Sequence, residues 1–199
     1  MSTVQKGNAF EDRVFRYIQG ELSSDRLHVP NARSKAYQKK GYYSKDRNSE
    51  IITDISIETF LPDASDYSLL TVIECKDYSS AVPVSDVEEF HSKVQQITGD
   101  NVKAILFTTA ALQSSALNFA KSKGIGVARY LPDDQVKMMM YLVTSNTLSN
   151  KEKLNHAEFR SALLHQSHIS DGRSFYACDA NYIYGDLFSI LKEYLNNGY

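Results

Sequence analysis

The chain has 199 residues, 42% of them hydrophobic, with 22 Lys and Arg against 24 Asp and Glu for a formal net charge of -2. That length and apolar content suit one sizeable domain with an appendage, and the near-neutral charge excludes a uniformly basic nucleic-acid coat, so any such affinity must come from a local patch. Two cysteines, Cys75 and Cys178, are too few and too far apart for a disulfide framework or a structural zinc site, and neither the amino-terminal MSTVQKGNAFEDR nor any later run has signal-peptide or membrane-spanning character. A soluble protein in a reducing, cytoplasmic setting is expected, with no internal repeat and no low-complexity segment.

The first helix is expected to start near Gly7 or Asn8, because Phe10, Val14, Phe15, Tyr17 and Ile18 recur at helical spacing. Glu11 falls inside that apolar face, where a carboxylate is costly without a cation or donor. A first-turn position, stabilised by the helix dipole, is the competing explanation.

Residues 31–48, NARSKAYQKKGYYSKDRN, interleave Arg33, Lys35, Lys39, Lys40, Lys45 and Arg47 with Tyr37, Tyr42 and Tyr43, opposed only by Asp46. Basic side chains neutralise phosphates, and tyrosines hydrogen-bond phosphate or stack on bases, so the segment fits a nucleic-acid edge. A merely solvated face is the ordinary alternative.

Residues 51–60, IITDISIETF, alternate as a strand, and residues 62–68 supply turn chemistry before a second strand that ends in VIECKDY. The two form a predicted β-hairpin. With its loop centred near Ala64 and Ser65, Asp54 lies opposite Cys75, within about one residue of Glu74 or Lys76. Glu74 and Lys76 point to one face of their strand, and the Cys75 thiol points to the other. A strand running out into solvent with an ordinary surface ion pair would show the same spacing.

A helix follows in SDVEEFHSKVQQI, with Ser85 as its N-cap and Val87, Phe90, Val94 and Ile97 on one face. Next come a strand at residues 102–108, a helix at 112–122 with the small residues Ala116 and Ala120, a closing Gly124 and a strand at 125–130. The order αββαβαβ requires crossovers, hence a mixed sheet flanked by helices. Pro132, Asp133 and Asp134 mark a boundary between a domain at 1–131 and an accessory α+β extension at 132–199. There Met138, Met139 and Met140 read as packing filler, 152–168 as a helix, FYACDANYIY as a strand, and 186–195 as a helix carrying Leu187, Ile190, Leu191 and Leu195 on one side.

Two carboxylates holding a hard cation beside a lysine are the parts needed to hydrolyse a phosphodiester. Asp54 and Glu74 can bind Mg²⁺, with Mn²⁺ as substitute, while leaving positions for a phosphate oxygen and a nucleophile. Lys76 would position the water, assist its deprotonation or stabilise the developing charge, and the Cys75 carbonyl could add a ligand. His28, His91, His156, His165 and His168 lack zinc-site spacing with the cysteines.

In order along the chain, KGNAFEDRVF, ITDISIE, VIECKDY with PVSDVEEF, and ILFTTAALQSSALNFAKSKGIGV resemble the PD-(D/E)xK nuclease superfamily, and within it the Mrr-type restriction endonuclease catalytic domain. The resemblance spans most of residues 5–130. It implies a restriction-endonuclease-like core with Asp54 and Glu74 as metal ligands, Lys76 as the catalytic lysine and Glu11 as an auxiliary first-helix carboxylate. Thr53 stands where the superfamily name has proline, so the Asp54 assignment rests on position, and Glu58 is its competitor. Gln95 and Gln96 on the next helix are further candidates to approach the site.

The expected function is metal-dependent endodeoxyribonuclease activity in restriction or anti-phage defence. The alternative is a catalytically silent DNA-binding or regulatory module of the same fold. Cutting both strands takes two active sites, so a homodimer is expected, and the extension is expected to regulate the domain or join it to a partner or further domain.

Overall fold

Buried Phe10, Val14, Ile18 and Leu22, each four residues after the last, give helix α1 (Thr3–Ser23) one apolar stripe to lay on a sheet. The computed structural model describes residues 3–25, 31–97, 101–131, 156–170, 174–180, 182–187 and 189–191, with side chains from residue 7 onward. After a 3-10 turn at Asn31–Arg33 come β1 (Ser34–Gln38), β2 (Gly41–Ser44), β3 (Ser49–Ile52), β4 (Ile55–Phe60) and β5 (Tyr67–Lys76). There follow α2 (Val84–Ile97), β6 (Val102–Thr108), α3 (Ser114–Ser122), β7 (Gly126–Tyr130), α4 (His156–Leu164), β8 (Phe175–Cys178) and β9 (Ile183–Tyr184).

Among the described residues, seven strands form the main sheet in the order β1-β4-β5-β6-β7-β8-β9. The β5–β6 and β6–β7 pairs are parallel and the rest antiparallel, so the sheet is mixed, as the crossovers required. Alternation divides its side chains between two cores. One holds Leu70, Val72, Ala104, Leu106 and Val127 beneath α2, α3 and α4, and the other holds Ile55, Ile57, Ile73, Ile105 and Phe107 beneath α1.

Residues 51–60 are not one strand, and residues 31–48 hold two strands, β1 and β2, that the expected order lacks. Ser34 pairs with Thr59, Gln38 with Ile55, Gly41 with Ile52 and Ser44 with Ser49, all in one antiparallel register. Between the two ladders the Lys39 N–H donates to the Asp54 carbonyl (2.9 Å) and the Thr53 N–H to the Lys40 carbonyl (3.0 Å). The whole stretch is therefore one long hairpin that bends at Lys39, Lys40, Thr53 and Asp54. Its outer half leaves the main sheet as β2–β3 and sends Tyr42 and Ile51 into the core beneath α2. Mixed burial in β1 and the spacing of its basic residues hid these strands from periodicity.

Smaller boundary differences follow from local geometry. α2 begins at Val84, which puts Ser85 in its first turn rather than at the cap, and α3 begins after Gln113, whose backbone is extended. α1 begins at Thr3, so Glu11 lies well past the first turn and beyond the reach of a dipole explanation. The FYACDANYIY stretch is two strands rather than one. His28, the methionines 138–140, the acids at 133 and 134, residues 152–155 and Leu195 lie outside the described residues.

The extension joins the first 131 residues through one sheet and packs into both cores, Phe175, Ala177 and Leu187 on the α1 side among them. β8 pairs with β7, and Phe159, Tyr176 and Cys178 pack in the same cluster as Leu112 and Val127. Arg129 on β7 is fully buried. Its guanidinium donates to the carbonyls of Ala162, His165 (3.0 Å) and Gln166 (3.5 Å) at the end of α4, and its Nε donates to the Thr109 carbonyl (3.1 Å). Burial pulls its pKa down to about 10, which still leaves it charged at neutral pH. A cation at carbonyls that lack intrahelical donors completes that helix end. Arg129→Met should lower stability by about 3 kcal/mol, because several buried carbonyls lose a charged donor at once; urea unfolding at pH 7 measures it.

Candidate active site

The bend in the long hairpin decides where Asp54 sits. Beyond the last β4–β5 pair, Ile55 with Ile73, the same register carries Asp54 across from Glu74, one residue from the expected Cys75. As the β4 backbone turns away, the Asp54 side chain takes its place on β5: the Cys75 N–H donates to Asp54 Oδ2 (2.9 Å). A carboxylate thus fills a ladder position, which fixes its orientation.

Glu74 and Lys76 share a face, as alternation requires, and Lys76 Nζ lies 2.9 Å from Glu74 Oε1. Burial pulls the Lys76 pKa down, but the charge of Glu74 and the hydrogen bond to it outweigh burial and leave it raised. The ammonium stays charged and acts as a donor. A second lysine, Lys93 of α2, lies 3.4 Å from the same Glu74 oxygen and 3.1 Å from Glu89. Sequence reading passed over Lys93 in favour of its neighbours Gln95 and Gln96. Gln96 instead accepts from Arg47 Nε (2.7 Å) and donates to Ser92, and Gln95 is exposed. Lys93 falls one turn before Ile97 and one after Glu89 on α2, a spacing that was available as a signal.

Glu11 is brought to the site from the opposite side of the sheet. Only 8% exposed, it reaches Lys39 Nζ at 2.6 Å, and the same ammonium donates to Asp54 Oδ1 at 2.8 Å. The contact to Glu11 is one of charge without aligned hydrogen-bond geometry. Burial pushes the Glu11 carboxyl up, Lys39 pulls it back, and Asp54 and Glu74 push it up again, for a net rise. The Cys75 thiol lies in the core on the α1 side, and burial, then Asp54, Glu11 and Glu74, push its pKa far above the ordinary range, so it stays an unreactive thiol.

The basic segment divides in two. Lys39 is committed to Glu11 and Asp54, while Lys40 lies against Glu58 (2.5 Å) and over the Tyr37 ring (3.8 Å). Tyr42 is buried and donates to Ser56 (2.8 Å) and Glu58 (2.9 Å). These three expected nucleic-acid contacts are engaged by carboxylates, Tyr42 buried, Lys40 half-buried and Lys39 at the surface, because the carboxylates need donors. Glu58, the competitor of Asp54, is satisfied in this second cluster away from Glu74. Arg33, Lys35, Tyr43, Lys45 and Arg47 remain exposed.

Asp54, Glu74 and Glu11 offer hard oxygens, the donor chemistry that suits Mg²⁺. Among the described residues no group of three or more acids, histidines or cysteines is gathered closely enough to cage a metal ion. A cation here would rest on one or two carboxylates and complete its shell with water and substrate oxygens, as Mg²⁺ commonly does. The ammonium of Lys39 between Glu11 and Asp54 shows that the position accepts positive charge.

A mixed sheet flanked by helices, with an acidic pair and a lysine at the end of a central strand, defines a restriction-endonuclease-like domain. A family model described as restriction endonuclease, the Mrr catalytic domain, matches residues 31–129, and that segment belongs to this family. It is a nuclease domain, for which DNA is the implied substrate and divalent ions are the general cofactor. Glu11 lies before the matched segment. No curated protein and no solved structure matches the chain.

A raised folded-state pKa at Glu11 means that its ionisation opposes folding. That penalty is absent below the ordinary glutamate value of 4.5 and grows as pH rises from there through the raised value. In EDTA, Glu11→Gln should therefore melt higher than the wild type at pH 7, and the gap should close as pH falls to 4.5. Thermal melts across that range check the sign.

Proposed function

We propose that this chain is a divalent-metal-dependent endodeoxyribonuclease acting in restriction or anti-phage defence. The observation that carries this reading is the convergence of Asp54, Glu74 and Lys76 at the carboxyl end of β5, where Asp54 is held by the Cys75 N–H and Glu74 by Lys76. Open α/β sheets place ligands beyond the carboxyl ends of their parallel strands, and the proposed site lies at that end of the parallel β5–β6–β7 portion, which supports the reading.

Asp54 and Glu74, with the Cys75 carbonyl, would hold Mg²⁺ or Mn²⁺. A divalent cation bound there supplies Lewis-acid polarisation of the phosphoryl oxygen and makes a coordinated water more acidic. Lys76 donates hydrogen bonds to the attacking water or to the phosphoryl oxygens as negative charge develops. Glu74 orients Lys76 through their 2.9 Å contact, so its loss would cost both a ligand and the lysine's aim. Glu11 contributes negative charge from the α1 side and thereby raises the site's demand for cations.

Five exposed residues support a path for the DNA backbone. Arg33 and Lys35 lie on the β1 edge of the sheet, and Tyr43, Lys45 and Arg47 lie on the outer hairpin. Side chains there can position phosphates without reading sequence. Two such sites, in a homodimer, would cut both strands. The silent DNA-binding reading is favoured by one specific observation: Asp54 and Glu74 are already neutralised by Lys39, Lys76 and Lys93.

Plasmid nicking with Mg²⁺ or Mn²⁺ against EDTA separates the two readings. Asp54→Ala, Glu74→Ala and Lys76→Ala should each reduce cleavage by about 100-fold or more while circular dichroism stays native. Full activity in Lys76→Ala, purified free of contaminating nuclease, would exclude this site. A panel of unmodified, methylated, branched and single-stranded DNA, with RNA included, then sorts the substrate.

The exposed arm has its own signature. In a Lys76→Ala background, replacing Lys45 and Arg47 with alanine should weaken binding of all duplex sequences alike and reduce the salt slope by about one to two units. An unchanged slope would move the DNA path elsewhere.

A further inference from the structure

The ammonium of Lys39 lies where two carboxylates converge, 2.6 Å from Glu11 Oε2 and 2.8 Å from Asp54 Oδ1. Its place is built by the backbone. Lys39 faces Asp54 directly across the hairpin, donates its N–H to the Asp54 carbonyl at 2.9 Å, and adopts a left-handed φ of 53° that places it at the bend. A non-glycine residue in that region is uncommon and marks a position held by its surroundings. The side chain is nevertheless 47% exposed, against 10% for Glu11 and 18% for Asp54. The carboxylates are fixed in the wall of the site, whereas the ammonium can rotate into water without crossing the core.

We propose that Lys39 is an internal counter-cation that competes with the divalent metal for Asp54 and Glu11. With no metal bound, it neutralises two carboxylates whose mutual repulsion would otherwise strain the end of the sheet. Binding of a divalent ion at Asp54 breaks the 2.8 Å contact and turns the ammonium outward to the mouth of the site. Apparent metal affinity is then the difference between two cations for one carboxylate pair, and the affinity of the free chain is lower than its oxygens alone would provide. The displaced ammonium stays on the hairpin beside the proposed phosphate path.

This inference rests on the metal-dependent reading above, and direct Mn²⁺ binding tests the two separately. Free Mn²⁺ is followed by its electron paramagnetic resonance signal while the full chain is titrated without DNA. The proteins are wild type, Lys39→Met, Lys39→Gln, Lys39→Arg and Asp54→Ala, each checked for native circular dichroism. Lys39→Met and Lys39→Gln should bind Mn²⁺ about tenfold more tightly than wild type, since one competing charge is gone from a partly exposed site. Lys39→Arg should stay near wild type, and Asp54→Ala should lose binding. If wild type binds Mn²⁺ through Asp54 but the two neutral variants bind no more tightly, competition is overturned and metal dependence stands. If neither wild type nor the neutral variants bind, both readings fall. The Gln variant retains a hydrogen-bond donor for Asp54, so a folding failure confined to Lys39→Met leaves the comparison decisive.

Discussion

The bend in the long hairpin is the constraint from which the site follows. A straight antiparallel ladder from Ser34 and Thr59 to Ser44 and Ser49 would carry the hairpin on along the edge of the sheet. By turning at Lys39, Lys40, Thr53 and Asp54 it frees the backbone of β5 at Cys75, and the Asp54 side chain takes that N–H. The same turn sends Tyr42 and Ile51 into the core beneath α2, so the bend is held by apolar burial on its far side as well as by hydrogen bonds within it. The carboxylate is positioned by packing that lies away from it, as a preorganised site requires.

The acids reach this corner from different sides of the sheet. Glu74 lies on the face that α2 covers, Glu11 comes from the helix on the other face, and Asp54 stands in the bend between them. Asp54 and Glu74 both repel the Glu11 carboxylate, and the lysines answer the negative charge from three elements: Lys39 from the hairpin, Lys76 from the strand and Lys93 from α2. The buried Glu58 shows the same economy in a second place, where Lys40 and the Tyr42 hydroxyl supply its counter-charge and donor. The Lys39–Lys40 dipeptide thus serves three carboxylates, Lys39 pairing with Glu11 and Asp54 and Lys40 with Glu58.

Much of this was legible because it depends on period. Glu74 and Lys76 share a face by strand alternation, and the acidic Glu11 stood out against the apolar stripe of α1. The β4–β5 register was readable to within one residue because its turn is rich in turn-forming residues. The bend was not legible. Residues 51–60 alternate without interruption through Thr53 and Asp54, and only the opposite strand, with Lys39 in a left-handed conformation, shows where the ladder breaks. Charge misled in the same way: a basic tyrosine-rich segment reads as a phosphate surface when viewed alone. Lys39, Lys40 and Tyr42 are instead held by acids distant in sequence, and that pairing is visible only once strands pair.

The family match ends at Arg129, yet the hydrogen-bonded structure does not. Arg129 holds the carbonyl end of α4 on one side and the Thr109 carbonyl on the other, and the Thr109 N–H donates to the Lys76 carbonyl at 3.1 Å. The Thr109 hydroxyl meanwhile donates to Asp77 at 2.6 Å. A short chain of contacts therefore runs from the extension to Lys76, the proposed catalytic lysine. A cut made at the edge of the recognised domain would leave Arg129 buried against a sheet edge without the helix carbonyls that satisfy it. It would also remove β8 from β7 and expose a strand edge. The extension is therefore part of the scaffold that holds the end of β5.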